Sequence, residues 1–342
     1  MRKSFTFLLL HTILFSVILL SSCTNITSLG VKKANDIDPD ARNEISRMCH
    51  KIHNALKKRN STYIKSIVSE KIKKNENILS IDTVVNSMNV DSSTNTYRVV
   101  GEYLMTALPN SIPKSVESNI GNFDNDYEFR FMGGYAENYV LLFTIPSRQN
   151  FDYLISCVFI KEKQEWKLGT FFVGYFKYNG KTAPDMYNEA KRQYSEHNYF
   201  GAYINLYTAY SCLQPAGEHF KYDLEKEIKQ FVDSFRKDFT ANGGEFPYKI
   251  NLPGSKHSIE FLSFGPVEGA KHIYPVILYK SDIPVSDTIA LKKQTDILHA
   301  KIDKYMPFIS KSFDSVFYKV VNEYPNNYHQ SASYFIREKG NI

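Results

Sequence analysis

The chain has 342 residues and a formal net charge of +6, with 42 basic against 36 acidic side chains. A length of this order supports two or three ordinary cores rather than one, and a bias that small is too weak to imply a nucleic-acid partner. Four cysteines, at positions 23, 49, 157 and 212, are too few and too widely spaced for a disulfide scaffold.

At the N-terminus, Arg2 and Lys3 precede a nearly unbroken apolar run from Phe5 to Leu20, interrupted mainly by His11 and Thr12. That is the basic-then-apolar layout of a secretory signal. It is somewhat short for a membrane span, which takes about 20 apolar residues. The run ends Leu20-Ser21-Ser22-Cys23, which resembles the lipobox of bacterial type II signal peptides. The resemblance implies cleavage before Cys23, diacylglyceryl transfer to its thiol, and acylation of the freed amine with a palmitate-type chain. Thr24, where lipoproteins held at the inner membrane carry Asp, resembles those sent on to the outer membrane. The expected partner is therefore the lipid bilayer, through acylated Cys23, on the periplasmic or the cell-surface side. An ordinary secretory signal with a chance cysteine is the plainer alternative.

Residues 1–22 are thus expected as the signal and 23–37 as a polar tether. The next segment, 38–182, opens with a helix. Asp40 reads as its N-cap, and Ile45, Met48, Cys49, Ile52, Ala55 and Leu56 recur at amphipathic spacing. A shorter helical stretch follows, with Tyr63, Ile64, Ile67, Val68 and Ile72 as its apolar positions. The period then changes to two. Tyr97 to Leu108, Tyr127 to Met132, Tyr139 to Ile145, Phe151 to Ile160 and Trp166 to Tyr178 read as strands. Gly133-Gly134 and Lys163-Gln164 stand where hairpin turns are needed, so neighbouring strands are expected to pair antiparallel. In the last strand, Trp166, Leu168, Phe172 and Phe176 are expected on one face and Phe171, Val173 and Tyr175 on the other, covered on both sides.

A helix followed by an antiparallel sheet that returns through Glu165-Trp166-Lys167-Leu168 resembles the nuclear transport factor two-like (cystatin-like) α+β fold. The resemblance implies a cone-shaped domain, a helix on the concave face of the sheet, and a pocket at its open end. Some members use that pocket for catalysis and many for binding or assembly.

Residues 183–245 switch to helices. Tyr199, Ala202, Leu206 and Ala209 behind Tyr194, closed by Pro215, resemble one tetratricopeptide-type helical hairpin. A single such repeat cannot bury a core alone, so it is expected to pack on its neighbours. A further helix carries Leu224, Ile228, Phe231, Val232, Phe235 and Phe239 on one stripe, stopped by Gly243-Gly244 and Pro247. The last segment, 246–342, reads as a small β-β-α-α-β unit: strands at Ser258 to Phe264 and His272 to Lys280, then helical periodicity at Leu298, Ile302, Tyr305 and Met306. It resumes at Phe313, Val316, Phe317, Val320 and Val321, with Pro307 beginning that second helix, and Ser333 to Arg337 closes as a strand. The fold class expected is α+β.

No G-x-S-x-G, P-loop, H-E-x-x-H or C-x-x-C motif occurs. Cys49, His50 and His53 are the nearest approach to a zinc constellation, yet zinc needs ligands from elsewhere too, and both histidines are expected on the polar flank of their helix. His197, His219, His257, His272, His299 and His329 are assigned surface or capping roles. From the resemblance, Tyr103, Asp152 and Tyr135 are candidates for proton transfer in a first-domain pocket; the plainer reading of so many aromatics is core and wall. No catalytic residue, metal or cofactor is assigned. The expected function is a non-catalytic, membrane-anchored envelope lipoprotein binding a partner protein or envelope glycan. The alternative is an isomerase, dehydratase or hydrolase acting in the first domain.

Overall fold

The computed structural model describes residues 30–73, 78–106, 114–118, 124–131, 135–148, 151–252, 258–268, 273–324 and 332–338. The signal, the lipobox and Cys23 lie outside them, as do Gly133-Gly134 and the histidines at 257, 272 and 329. Among the described residues no helix is long and apolar enough to cross a membrane.

The chain is α+β. Strands β1 (Gly30–Lys33), β2 (Arg98–Thr106), β5 (Glu137–Pro146), β6 (Phe151–Glu162), β7 (Glu165–Tyr178) and β8 (Lys181–Thr182) form a curled antiparallel sheet in the order β1-β2-β5-β6-β7-β8. Its two central strands are apolar on both faces, because both faces are covered. One face carries Tyr139, Leu141, Phe143, Ile155, Cys157 and Phe159 and receives helix α1 (Pro39–Lys57) through Ile45, Cys49, Ile52 and Leu56. The other carries Val140, Leu142, Leu154 and Val158. It receives a three-stranded sheet of β3 (Lys114–Glu117), β4 (Tyr127–Phe131) and β10 (Phe220–Tyr222), and then the helices that follow the large sheet.

Helix α1 starts two residues before the expected cap: Asp38, not Asp40, accepts from the backbone amides of Asp40 and Ala41, with Pro39 in the first turn. The single helical stretch expected next is broken into α2 (Thr62–Ser66) and α3 (Glu70–Lys73). Between them Val68 bridges Leu168, and the amide of Ser69 donates to the Leu168 carbonyl at 2.9 Å. A ladder bond from a distant strand here outweighs local helical periodicity. Helix α4 (Ile78–Ser87) completes this side.

Two pairing expectations are corrected. Strand β4 pairs with β3 and β10 rather than with β5, since its Phe129 and Phe131 are needed on the second face of the large sheet. In β7 the pleat flips: Thr170 stands opposite Val158 and Leu168 opposite Phe159, leaving Gly169 as an extra residue. Trp166 and Leu168 therefore share the α1 face with Phe171 and Val173, while Phe172 and Phe176 lie on the other. The β6–β7 turn is as expected, with Lys163 and Gln164 both left-handed.

Helices α5 (Ala183–Ser195) and α6 (Tyr199–Ser211) form the helical hairpin, entered through a Thr182–Asp185 capping box and turned at Glu196-His197-Asn198. It packs on the second face of the large sheet and is not free-standing. Strand β9 (Pro215–Glu218) and β10 interrupt what the sequence suggests is purely helical. They lead into α7 (Glu225–Phe239), whose apolar stripe seats Ile228, Phe235 and Phe239 in the core.

The C-terminal sheet runs β11 (Tyr248–Asn251), β12 (Ser258–Glu268), β13 (Ile273–Ser281), β14 (Ser315–Val321) and β15 (Ser333–Glu338) in that order. All pairs are antiparallel except β13–β14, which are parallel and joined by α8 (Thr288–His299), α9 (Ile302–Tyr305) and α10 (Ile309–Ser312). The second helix expected around Phe313 to Val321 is strand β14. Val316, Tyr318 and Val320 alternate inward against the helices, and β-branched residues flanked by two waiting strands take the ladder. Pro307 sits in the turn before α10 and begins no helix. Phe200 of α6 meets Phe264 of β12 edge-on at 5.1 Å, so one apolar core runs through from the first sheet to the last.

Candidate functional site

Helix α6 reads YFGAYINLYTAYS and is apolar nearly all round, as a buried helix should be. Gly201, Ala202 and Ala209 let it lie close to its neighbours, and Asn198 caps it by accepting from the Gly201 amide at 3.0 Å. Tyr203, Tyr207 and Tyr210 occupy a second stripe at i, i+4 and i+7. Tyr207 and Tyr210 are 51% and 59% exposed, an anomaly for large rings on such a helix.

Opposite them α7 presents Lys229, Val232, Asp233 and Arg236, again at helical spacing. The two helices enclose a half-open groove of about 540 Å³, whose lining includes Leu206, Phe235 and Phe239 as an apolar floor. Tyr203 stacks on Phe239 with ring centres 4.7 Å apart at the deep end. Burial pushes the Tyr203 hydroxyl above its usual range, and the Arg236 guanidinium opposes that push. Lys229 is held by the buried Glu225, which also accepts from Gln214 at 2.8 Å. The side chains of Asp233 and Arg236, and the hydroxyls of Tyr207 and Tyr210, make no hydrogen bond or ion pair with the described residues. The groove thus offers an apolar floor, two exposed rings, and one uncommitted charge of each sign.

A second, smaller cleft of about 290 Å³ lies at the edge of α1 and is lined by Arg42, Asn43, Ser46, Tyr97, Val99, Glu102 and Leu141. Glu102 is nearly buried. Arg42 pairs with it at 2.9 Å and the Tyr139 hydroxyl donates to it at 2.6 Å. Burial and that bond hold the Tyr139 hydroxyl far above its ordinary range. Beyond this cleft, the α1 face of the sheet is filled by fully buried Ile45, Cys49, Ile52 and Leu56.

The residues singled out for proton transfer are not brought together. Tyr103 is buried on the second face, its hydroxyl 3.4 Å from that of Tyr127. Tyr135 donates to Glu162 at 2.8 Å beyond one end of the β5–β6 ladder, and burial with that bond pushes its hydroxyl up to about 12. Asp152 lies at the other end, opposite Pro146, roughly 30 Å away at the rise of a strand. Burial raises the Asp152 carboxyl against the pull of Lys177 and Arg98. A carboxyl raised in the folded state binds protons more readily there than in the unfolded chain, so its ionisation costs stability as pH rises through its native pKa. Asp152→Asn is expected to raise the melting temperature at pH 7, with the gain shrinking as pH falls toward 4; a gain independent of pH, or a loss, would contradict this.

Of Cys49, His50 and His53, the two histidine rings stay neighbours, 6.4 Å apart, but the three do not gather into a site. His50 is exposed, Cys49 is buried in contact with the buried Cys157, and His53 is fully buried rather than on a polar flank. No group of three metal-ligating side chains occurs among the described residues. His197 bonds Tyr199, and His219 stacks on Phe172 at 4.5 Å. His299 is half-buried in the last turn of α8 and bonded to the Tyr318 hydroxyl at 2.9 Å, so it is not a surface residue, and its place at the helix end is the one a capping residue takes. The groove tyrosines are residues that sequence reasoning misses. Their signal is the second stripe at 203, 207 and 210, which stands beside the more conspicuous alanine stripe of the same helix. Compared with known proteins, the chain matches no family model, no curated protein and no solved structure.

Proposed function

We propose that the protein is a lipoprotein of the cell envelope, anchored in the outer membrane through acylated Cys23 and facing the periplasm or the cell surface. In this reading it is a non-catalytic module that binds a partner protein in the α6–α7 groove. The observation that carries it is the groove itself, whose exposed Tyr207 and Tyr210 stand over an apolar floor beside the unpaired Asp233 and Arg236. An apolar floor with aromatic anchors and a few polar groups suits a polypeptide segment. The enzyme alternative needs a first-domain pocket with a free acid or base, and in the cleft beside α1 the Glu102 carboxylate is already taken by Arg42 and Tyr139.

Two experiments test the two halves of this reading. Each tyrosine acting as a binding anchor contributes about 2 kcal/mol or more, roughly 30-fold in affinity. Tyr207→Ala with Tyr210→Ala should therefore lose a partner recovered from cross-linked envelopes with the natural chain, while thermal stability changes little because both rings are exposed. Recovery of the same partner by the double variant would sink the groove as the binding site. For the anchor, Cys23→Ser should abolish palmitate labelling and move the protein from the membrane pellet to the soluble fraction, since several acyl chains are what make such attachment stable. Undiminished labelling would overturn it.

A further inference from the structure

Strand β15 is the outer strand of the C-terminal sheet, and among the described residues its only ladder is with β14. Sheets guard such edges with charge, proline or bulges, because an open row of amides and carbonyls invites another strand. Here the register is unbroken, and the sequence Ser-Tyr-Phe-Ile-Arg-Glu carries no proline. Its cation is turned away: Arg337 folds back onto α8, bonding Asp296 at 2.5 Å and the Lys292 carbonyl at 3.3 Å. On the face away from the helices, Tyr334 and Ile336 are 66% and 49% exposed. Around Lys319, whose ammonium lies over the Tyr334 ring at 5.6 Å, they continue an apolar surface through the partly exposed Phe317 of β14 and Val276 and Leu278 of β13, which the register places on the same face.

We infer that β15 pairs antiparallel with β15 of a second copy, joining two five-stranded sheets edge to edge. The choice of a second copy follows from the side chains. Two identical antiparallel strands in one sheet must match residues of like parity, or their outward sets fall on opposite faces. Centred on Phe335, the pairing sets Tyr334 of each copy opposite Ile336 of the other on the outer face, Phe335 beside Phe335 on the inner face, and Ser333 opposite Arg337. Every apolar residue of the strand then meets an apolar residue, and no like charges face each other. Centring on Ile336 instead sets Tyr334 against Glu338 and Phe335 against Arg337. The strand is complementary to itself in the first register.

The test uses the full chain, purified from membranes in mild detergent and sized by sedimentation with the detergent contribution removed. The expected result is a concentration-dependent equilibrium between the mass of one mature, acylated chain and twice that mass. Tyr334→Lys with Ile336→Lys should leave only monomer with an unchanged circular dichroism spectrum, since both side chains are exposed. Phe335→Cys, which faces itself across the pair, should form a disulfide-linked dimer under mild oxidation at least tenfold faster than Tyr334→Cys, which does not. A natural chain that stays monomeric to about 100 μM, a lysine variant that still associates, or equal linking by the two cysteine variants would each overturn the inference.

Discussion

Replacing Gly174 with valine is expected to cost the fold about 3 kcal/mol or more, at the upper end of what overpacking of a closed site produces. Gly174 lies in β7 opposite the fully buried Leu154, at the point where β9 crosses the sheet. A Cβ added there would stand 2.2 Å from the Pro215 carbonyl oxygen, 2.8 Å from its carbonyl carbon and 2.9 Å from its Cα. All three are backbone atoms, so no rotamer change relieves the contact. The β9 chain has to lift, and with it go the buried Pro215 and Ala216 and the lead-in to β10, whose Phe220 and Tyr222 pack on Phe176. Urea unfolding followed by the fluorescence of Trp166, the sole tryptophan and itself buried, measures the loss. A midpoint unchanged within the equivalent of about 0.5 kcal/mol would mean that β9 does not sit on Gly174.

The second large effect has the opposite sign. His53 is completely buried on α1, and among the described residues neither ring nitrogen has a hydrogen-bond partner. Its ring lies edge-on to Tyr97 at 5.7 Å, and Tyr97 in turn packs on Phe143 at 4.9 Å. Burial lowers its pKa, with Lys57 and His50 adding to the same direction. A buried polar group without a partner costs about 1–3 kcal/mol of desolvation. His53→Leu, near in volume, is therefore expected to stabilise the chain by about that amount. The pH dependence follows from linkage. Because the native imidazole is held neutral, the unfolded chain binds a proton that the folded one refuses, and stability falls as pH drops below the unfolded value of about 6.5. His53→Leu should flatten this acid limb between about pH 6.5 and 5, so the stabilisation grows as pH falls. Chemical denaturation of both proteins at pH 7.5 and 5.5 reads the difference; a destabilised variant at both values would show that the imidazole finds a partner in solution.

Helix α1 shows how much of the fold is legible in the sequence. Ile45, Cys49, Ile52 and Leu56 stand out as a stripe because a helix repeats every 3.6 residues, and that period is written in neighbouring positions. The same holds for Ile228, Phe235 and Phe239 of α7 and for the alternating strand β2, while β5 and β6 stand out as continuous apolar runs. The Lys163-Gln164 turn and the stop after α7 are likewise local, set by residues that bend or end an element. From these the α+β class follows. The candidate site is half legible: the tyrosine stripe of α6 and the charged face of α7 each stand in the sequence, but nothing local says that the two face each other across a groove.

What the sequence by itself determined was the type and face of each strongly periodic element. The tertiary structure decided which elements meet. It took β4 away from β5, turned Phe313 to Val321 from helix to strand once β13 and β15 stood on either side, and flipped the faces of β7 at Gly169. It also buried His53 behind Tyr97 and opened the α6–α7 groove. The reason is physical: periodicity is set by the backbone geometry of adjacent residues, whereas strand partners, register shifts and grooves depend on atoms brought together from distant parts of the chain, whose packing competes with local preference and, at these places, prevails.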